Sequence, residues 1–196
     1  SENTANGTSA LYSNTTGGGN TANGFRSLYL NTTGIWNIAN GDLALYSNTT
    51  GHQNTANGYK SLYSSTTGEQ NTANGTYSLH FITTDNYNTG IGNRAGDINT
   101  FTAGTFLGAS AYPNASGYTN VMGLGYNARP NASNQVRIGN SSVTSIGGYA
   151  GWTDFSDGRY KTSVQENVKG LDFVMKLRPV TYRLDVNRLA ADLKED

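Results

Sequence analysis

Side chains able to do chemistry are few in this chain of 196 residues. There is no cysteine, which excludes a disulfide framework and thiol-based metal sites. The two histidines, His52 and His80, fall at different places in the local pattern and show no partner in sequence. They are read as solvent-facing or stacked side chains, and no metal or cofactor site is assigned. Hydrolysis of a glycosidic bond needs two carboxyl groups across a groove. Residues 1–153 offer only Glu2, Asp42, Glu69, Asp85 and Asp97, none at matched positions, so a glycan-degrading enzyme is rejected. The remaining candidate is the string Ser156-Asp157-Gly158-Arg159-Tyr160-Lys161, which sets a hydroxyl and an amine five residues apart. That spacing places them on different faces of a helix, so the segment must be a turn. Asp157-Gly158 supplies one.

The elements around that string read as the start of a small α+β unit. Ser163-Val164-Gln165-Glu166 is a capping box, with the cap serine followed three residues later by glutamate. Val164, Val168, Leu171, Val174 and Met175 follow at helical spacing, and Arg178-Pro179 stops the helix. Val180, Tyr182, Leu184 and Val186 alternate as a strand, and residues 187–193 begin another helix. One helix, one strand and part of a helix cannot enclose a core, so residues 156–196 are expected to be the N-terminal part of a longer domain. Residues 146–155 read as a connector, and residues 140–155 as a whole as an exit strand running into it.

Upstream the physics differs. Residues 1–155 hold 11 of the 26 charged residues and residues 156–196 hold 15. Asn3-Thr4-Ala5-Asn6-Gly7 returns at 20–24, 37–41, 54–58 and 71–75, a step of 17 each time. Leu11, Leu28, Leu45, Leu62 and Leu79 keep the same frame, as do Tyr12, Tyr29, Tyr46 and Tyr63, with His80 in the fifth copy. The frame continues through Ile91-Gly92, Leu107-Gly108, Leu124-Gly125 and Ile138-Gly139, at steps of 16, 17 and 14 after Gly92. Such a unit is too short for a helical hairpin, and its Gly, Asn and Thr disfavour helix. It suits one coil of an all-β solenoid: two short strands and two turns, with Gly and Asn supplying left-handed corners. Stacking turns each position into a column. Alanine and leucine columns form the core, and Asn and Thr columns carry hydrogen bonds along the stack. A coil this thin buries little, so several chains are expected to share a core.

The later turns, Thr89-Gly90-Ile91-Gly92-Asn93-Arg94-Ala95-Gly96 and Val121-Met122-Gly123-Leu124-Gly125-Tyr126-Asn127-Ala128-Arg129, resemble the A-x-A-I-G-x-x-A repeats of YadA-like trimeric autotransporter adhesin heads. The resemblance covers about residues 1–145. The frame from Gly7 to Gly139 counts about nine coils, and the resemblance implies a left-handed parallel β-roll with three chains around one axis. Ser156 to Lys161, followed by a helix and Leu177-Arg178-Pro179-Val180-Thr181-Tyr182, resembles the endosialidase-type intramolecular chaperone of phage tail spikes and fibres. That domain trimerises, templates the folding of its fibre and cuts itself off before the motif serine. The resemblance implies Ser156 as nucleophile, Lys161 as its base and Phe155–Ser156 as the scissile bond. A lysine can serve as base where burial lowers its pKa enough to leave the amine neutral.

Together the two resemblances imply a homotrimeric extracellular fibre, on a cell surface or on the tail of a virion or injection machine. It would attach to a host cell or matrix through a glycan or protein receptor. Its C-terminal segment would begin a self-cleaving chaperone, a single-turnover activity expected to be inert in a truncated chain. A surface adhesin without autoprocessing is the alternative. Ice binding is a third reading, carried by Thr15-Thr16, Thr32-Thr33, Thr49-Thr50 and Thr66-Thr67. Trp36, Trp152 and the tyrosine column could stack on sugar rings or fill a groove between chains. The formal net charge is zero, which gives no footprint for nucleic acid, and no apolar run is long enough to insert in a membrane.

Overall fold

The computed structural model describes residues 2–98 and 100–149. Phe155, Ser156, Lys161 and the helix and strand expected after them lie outside the described residues, as does Trp152. A first compact unit spans Ser1–Ile146. Its described residues are all-β: one parallel sheet of nine strands in chain order, wound as a solenoid. The strands are β1 Thr4–Asn6, β2 Thr21–Asn23, β3 Ile38–Asn40, β4 Thr55–Asn57, β5 Thr72–Asn74, β6 Thr89–Ile91, β7 Phe101–Leu107, β8 Tyr118–Leu124 and β9 Gln135–Ile138. Each of the nine landmark glycines, Gly7 to Gly139, immediately follows one strand, so eight full turns separate β1 from β9.

The pairing follows the sequence frame. Ala5 pairs with Ala22, Ala22 with Ala39, Ala39 with Ala56 and Ala56 with Ala73. The shorter steps are also real: Ile91 pairs with Leu107 and Leu124 with Ile138. Within each short strand the central residue faces inward, because side chains alternate. Ala22, Ala39, Ala56 and Ala73 are fully buried, together with Leu28, Leu45, Leu62 and Leu79. Ala5, in the outermost coil, is exposed.

Two details differ from the sequence expectation. The coils carry one strand each, not two, and no exit strand forms over residues 140–149. The rest of each coil is a chain of turns whose amides still bond to the next coil: the Leu28 N–H donates to the Ala44 carbonyl at 3.0 Å, and that of Thr32 to Thr49 at 2.9 Å. The corners are also occupied differently. Glycine holds the corner after each strand, as at Gly41 (φ 142°), where a Cβ would meet the Gly58 carbonyl oxygen at 2.6 Å. Three further left-handed columns hold ordinary residues, such as Arg26 (φ 51°), Leu28 (φ 49°) and Trp36 (φ 57°). These dihedrals break the pleat, which is why a second strand does not form.

A left-handed leucine costs about 1–2 kcal/mol. Complete burial of the same side chain contributes about 1.5–3 kcal/mol, so the leucine column offsets its own corner. Beyond Leu79 that column ends, and Phe101 and Phe106 fill the core, edge to face with centroids 4.8 Å apart. Small neighbours make the room: a Cβ at Gly123 would press on Phe106 at 3.0 Å, and Gly104 lies against Phe101.

Candidate functional site

No catalytic constellation forms among the described residues, and the sequence candidates Ser156 and Lys161 lie beyond them. What the solenoid presents is a set of side-chain columns, one residue per coil.

The innermost polar column runs from Asn3 through Asn20, Asn37, Asn54 and Asn71 to Asn88. The Asn54 N–H donates to Asn37 Oδ1 at 3.0 Å and the Asn71 N–H to Asn54 Oδ1 at 3.0 Å. From Asn3 to Asn71 each Nδ2 donates to a turn carbonyl, as Asn54 does to Gly68 at 2.7 Å, whereas that of Asn88 is buried without a partner. The column ends where Asn88 Oδ1 accepts from the Gly104 N–H. A second amide column links Asn48 Nδ2 to Asn31 Oδ1 and Asn31 Nδ2 to Asn14 Oδ1, both at 2.7 Å. Asn31 and Asn48 are fully buried, so these N-x-T triplets are structural and not open to glycosylation in the folded coil.

The threonine pairs divide their work. The hydroxyls of Thr15, Thr32 and Thr49 donate to the carbonyls of Thr32, Thr49 and Thr66. The second threonine of each pair, Thr16, Thr33, Thr50 and Thr67, is exposed, and of the first threonines only Thr15, in the outermost coil, is exposed as well. A single file of free hydroxyls is a poor match to an ice plane, which needs a two-dimensional array.

The tyrosine column is a continuous ring stack. Tyr12, Tyr29, Tyr46, Tyr63 and His80 follow one another at centroid distances of 5.2–5.3 Å with interplanar angles of 2–10°. Sugar stacking needs a free ring face, and in this column the faces are turned towards one another. The sequence reading that offered these rings to sugars is therefore corrected, except at the terminal ring of Tyr12. Arg26 lies over Tyr29 and Lys60 over Tyr63, each 5.4 Å from the centroid.

Both histidines have partners, contrary to the sequence reading. His52 Nε2 lies 3.0 Å from Glu69 Oε1, and the two residues are one 17-residue step apart, a signal that the repeat itself carries. His80 joins the ring stack, and its Nδ1–H donates to the Lys60 carbonyl at 3.2 Å. Burial lowers its pKa below 6.5, partly opposed by that hydrogen bond. The carboxylates are dispersed. Asp42 accepts from the Phe25 N–H at 2.9 Å, and Asp97, buried, accepts from Arg94 Nε at 2.8 Å. Desolvation raises the Asp97 pKa, opposed by that guanidinium. Among the described residues no three His, Asp or Glu side chains gather to hold a metal.

One exposed column differs from the rest. Gly19, Trp36, Gln53, Gln70 and Tyr87 succeed one another at the same left-handed corner. Gln70 Nε2 donates to Gln53 Oε1 at 2.8 Å. Their neighbours one residue earlier include His52 and Glu69. Trp36 is 61% exposed and Tyr87 62%. The frame relation was legible, since the two aromatics stand three 17-residue steps apart.

Compared with family models, curated proteins and solved structures, the chain matches none.

Proposed function

We propose that this chain is part of a homotrimeric extracellular fibre, a tail fibre or surface adhesin that attaches to a host cell or matrix. The observation that carries the reading is the mismatch between the core and the sheet surface. Each regular coil encloses little more than one alanine and one leucine. The outward face of the later strands nonetheless holds Ile91, Leu107 and Val136 exposed, with Met122, Leu124 and Ile138 half-buried. A monomer gains nothing from that strip, whereas association would bury it at about 25 cal/mol per Å² of apolar surface. The Ser156–Lys161 string supports the fibre form, with Ser156 as nucleophile and Lys161 as base of a self-cleaving chaperone that acts once the trimer is assembled.

Light scattering coupled to size exclusion is expected to give three times the chain mass. A clean monomer overturns the reading. With the chaperone domain completed, a denaturing gel is expected to show two products, and Ser156→Ala one. Cleavage that persists in that variant removes Ser156 from its role.

A further inference from the structure

The Trp36 column carries backbone strain that burial does not recover. A bulky residue at a left-handed corner is strained, by about 1–2 kcal/mol. Leu28, Leu45 and Leu62 recover that cost by complete burial. Trp36 (φ 57°) and Tyr87 (φ 61°) do not, being 61% and 62% exposed. Gln53 and Gln70 share this corner and are exposed as well, while Gly19, Ala103, Asn120 and Asn134 hold it with small side chains. Arg26 and Arg94 are also exposed at a left-handed corner, so what sets Trp36 and Tyr87 apart is an exposed aromatic ring held there.

The geometry around the two rings is specific. The Trp36 indole lies over Gly19, where a Cβ would come within 2.5 Å of Cδ1, so the preceding coil leaves space for the ring. Tyr87 stands three coils further along, about 14 Å at the 4.7–4.9 Å spacing of parallel strands. Between the rings lie the Gln53–Gln70 amide pair and the His52–Glu69 pair. The column and its neighbours carry no lysine or arginine. Two aromatic platforms separated by amide and imidazole–carboxylate groups form a strip with apolar ends and hydroxyl-matching polar groups in between.

We propose that this strip binds a neutral polysaccharide lying along the solenoid axis. One sugar ring would meet each coil, the first and fourth rings stacking on Trp36 and Tyr87. Gln53, Gln70 and the His52–Glu69 pair supply donors and acceptors to the hydroxyls between them. The absence of cationic side chains excludes acidic glycans as the preferred ligand. A column that advances one residue per coil selects extended chains over helical ones. This inference names the receptor class for the fibre reading above and rests on it for biological meaning, but the binding test does not depend on the chain being trimeric.

The test is native affinity electrophoresis of the full chain in gels cast with a soluble extended neutral glucan, with coiled dextran, or with an acidic polysaccharide such as alginate. The expected result is retardation by the extended glucan alone. Trp36→Ala and Tyr87→Ala are each expected to weaken it at least fivefold and Trp36→Phe to retain most of it, all with unchanged mass by light scattering. Circular dichroism melts confirm that the variants fold, and Thr50→Ala, on an exposed column outside the strip, serves as the neutral control. Retardation that survives both alanine variants, retardation by alginate alone, or no retardation by the extended glucan overturns the proposal. So does a change of mass in either alanine variant, which would make the column a contact between chains. A monomeric mass with intact glucan binding would overturn the fibre reading and leave this one standing.

Discussion

The first five coils and the last four solve the same problem by different means. From β1 to β5 the strands are three residues long, and the stack is tied by buried asparagines that bridge each coil to the next. In β7 and β8 the strands lengthen to seven residues and pair at six positions, and two phenylalanines replace the alanine–leucine core. Coil length tracks this change. It stays at 17 wherever the asparagine column runs in full, and steps of 16 and 14 appear only after the column reaches Asn88. An amide that must reach one N–H and one carbonyl in the adjoining coil fixes the length of that coil. Past Asn88 that constraint is gone and the turns shorten at the β6–β7 and β8–β9 steps, while the six-position ladder between β7 and β8 keeps a step of 17.

That contrast is open to a direct break. Phe106→Ala is expected to cost about 3–5 kcal/mol, the usual range for a buried phenylalanine. Nearest-neighbour coupling confines most of the loss to adjoining coils. Hydrogen exchange should therefore quicken in β6–β8 and change little in β1–β3. Asn54→Ala is expected to cost less, about 2–4 kcal/mol. It orphans the Asn71 N–H and the Gly68 carbonyl, and each buried unmet group costs about 1–3 kcal/mol. Its exchange should quicken in β3–β5. If either variant loosened both regions equally, the division drawn above would be wrong.

The repeat made much of this legible. The 17-residue step, its drift to 16 and 14, and the alanine and leucine columns all followed from spacing, because stacking makes equal positions neighbours. The left-handed leucines did not follow, since propensity places glycine or asparagine there and only the burial of Leu28 and its equivalents reverses the preference. The His52–Glu69 pair was readable once the step was applied to charged residues. The proposed Trp36–Tyr87 strip needed two facts that spacing lacks, the shared corner conformation and the exposure of both rings.

Where a ladder is interrupted, it should be possible to extend it. Ser65 replaces asparagine in the second amide column, and both its hydroxyl and Asn48 Oδ1 are buried without a partner. Ser65→Asn would let a new amide donate to Asn48 Oδ1, as Asn48 does to Asn31, and to the Gly68 carbonyl. The expected gain is about 1 kcal/mol, the net value of a buried hydrogen bond, seen as a raised Tm. A lowered Tm would mean that Ile82, next in the column, sets the size of the site.

The smallest effect lies where the two regions meet. The ring stack ends at His80, and the next residue in its column is the buried Asp97. Burial lowers the His80 pKa below its unfolded value of 6.5, with Lys60 and Arg94 adding to the lowering and the Lys60 carbonyl and Asp97 opposing it. Above 6.5 the imidazole is neutral in both states and contributes no pH dependence. As pH falls below 6.5 the unfolded chain takes up the proton first, so stability declines until the folded-state pKa is passed. Asp97 acts with the opposite sign at lower pH: its raised pKa means the folded state gains stability as pH falls towards 3.8. His80→Tyr restores the repeat residue and removes the first of these, together with the His80 charge that helps to hold the Asp97 pKa down. Its Tm is expected to fall less than that of the parent chain between pH 6.5 and 5, with the two curves parallel above pH 7. Parallel curves throughout would mean that proton uptake by His80 does not set the acid sensitivity of the junction.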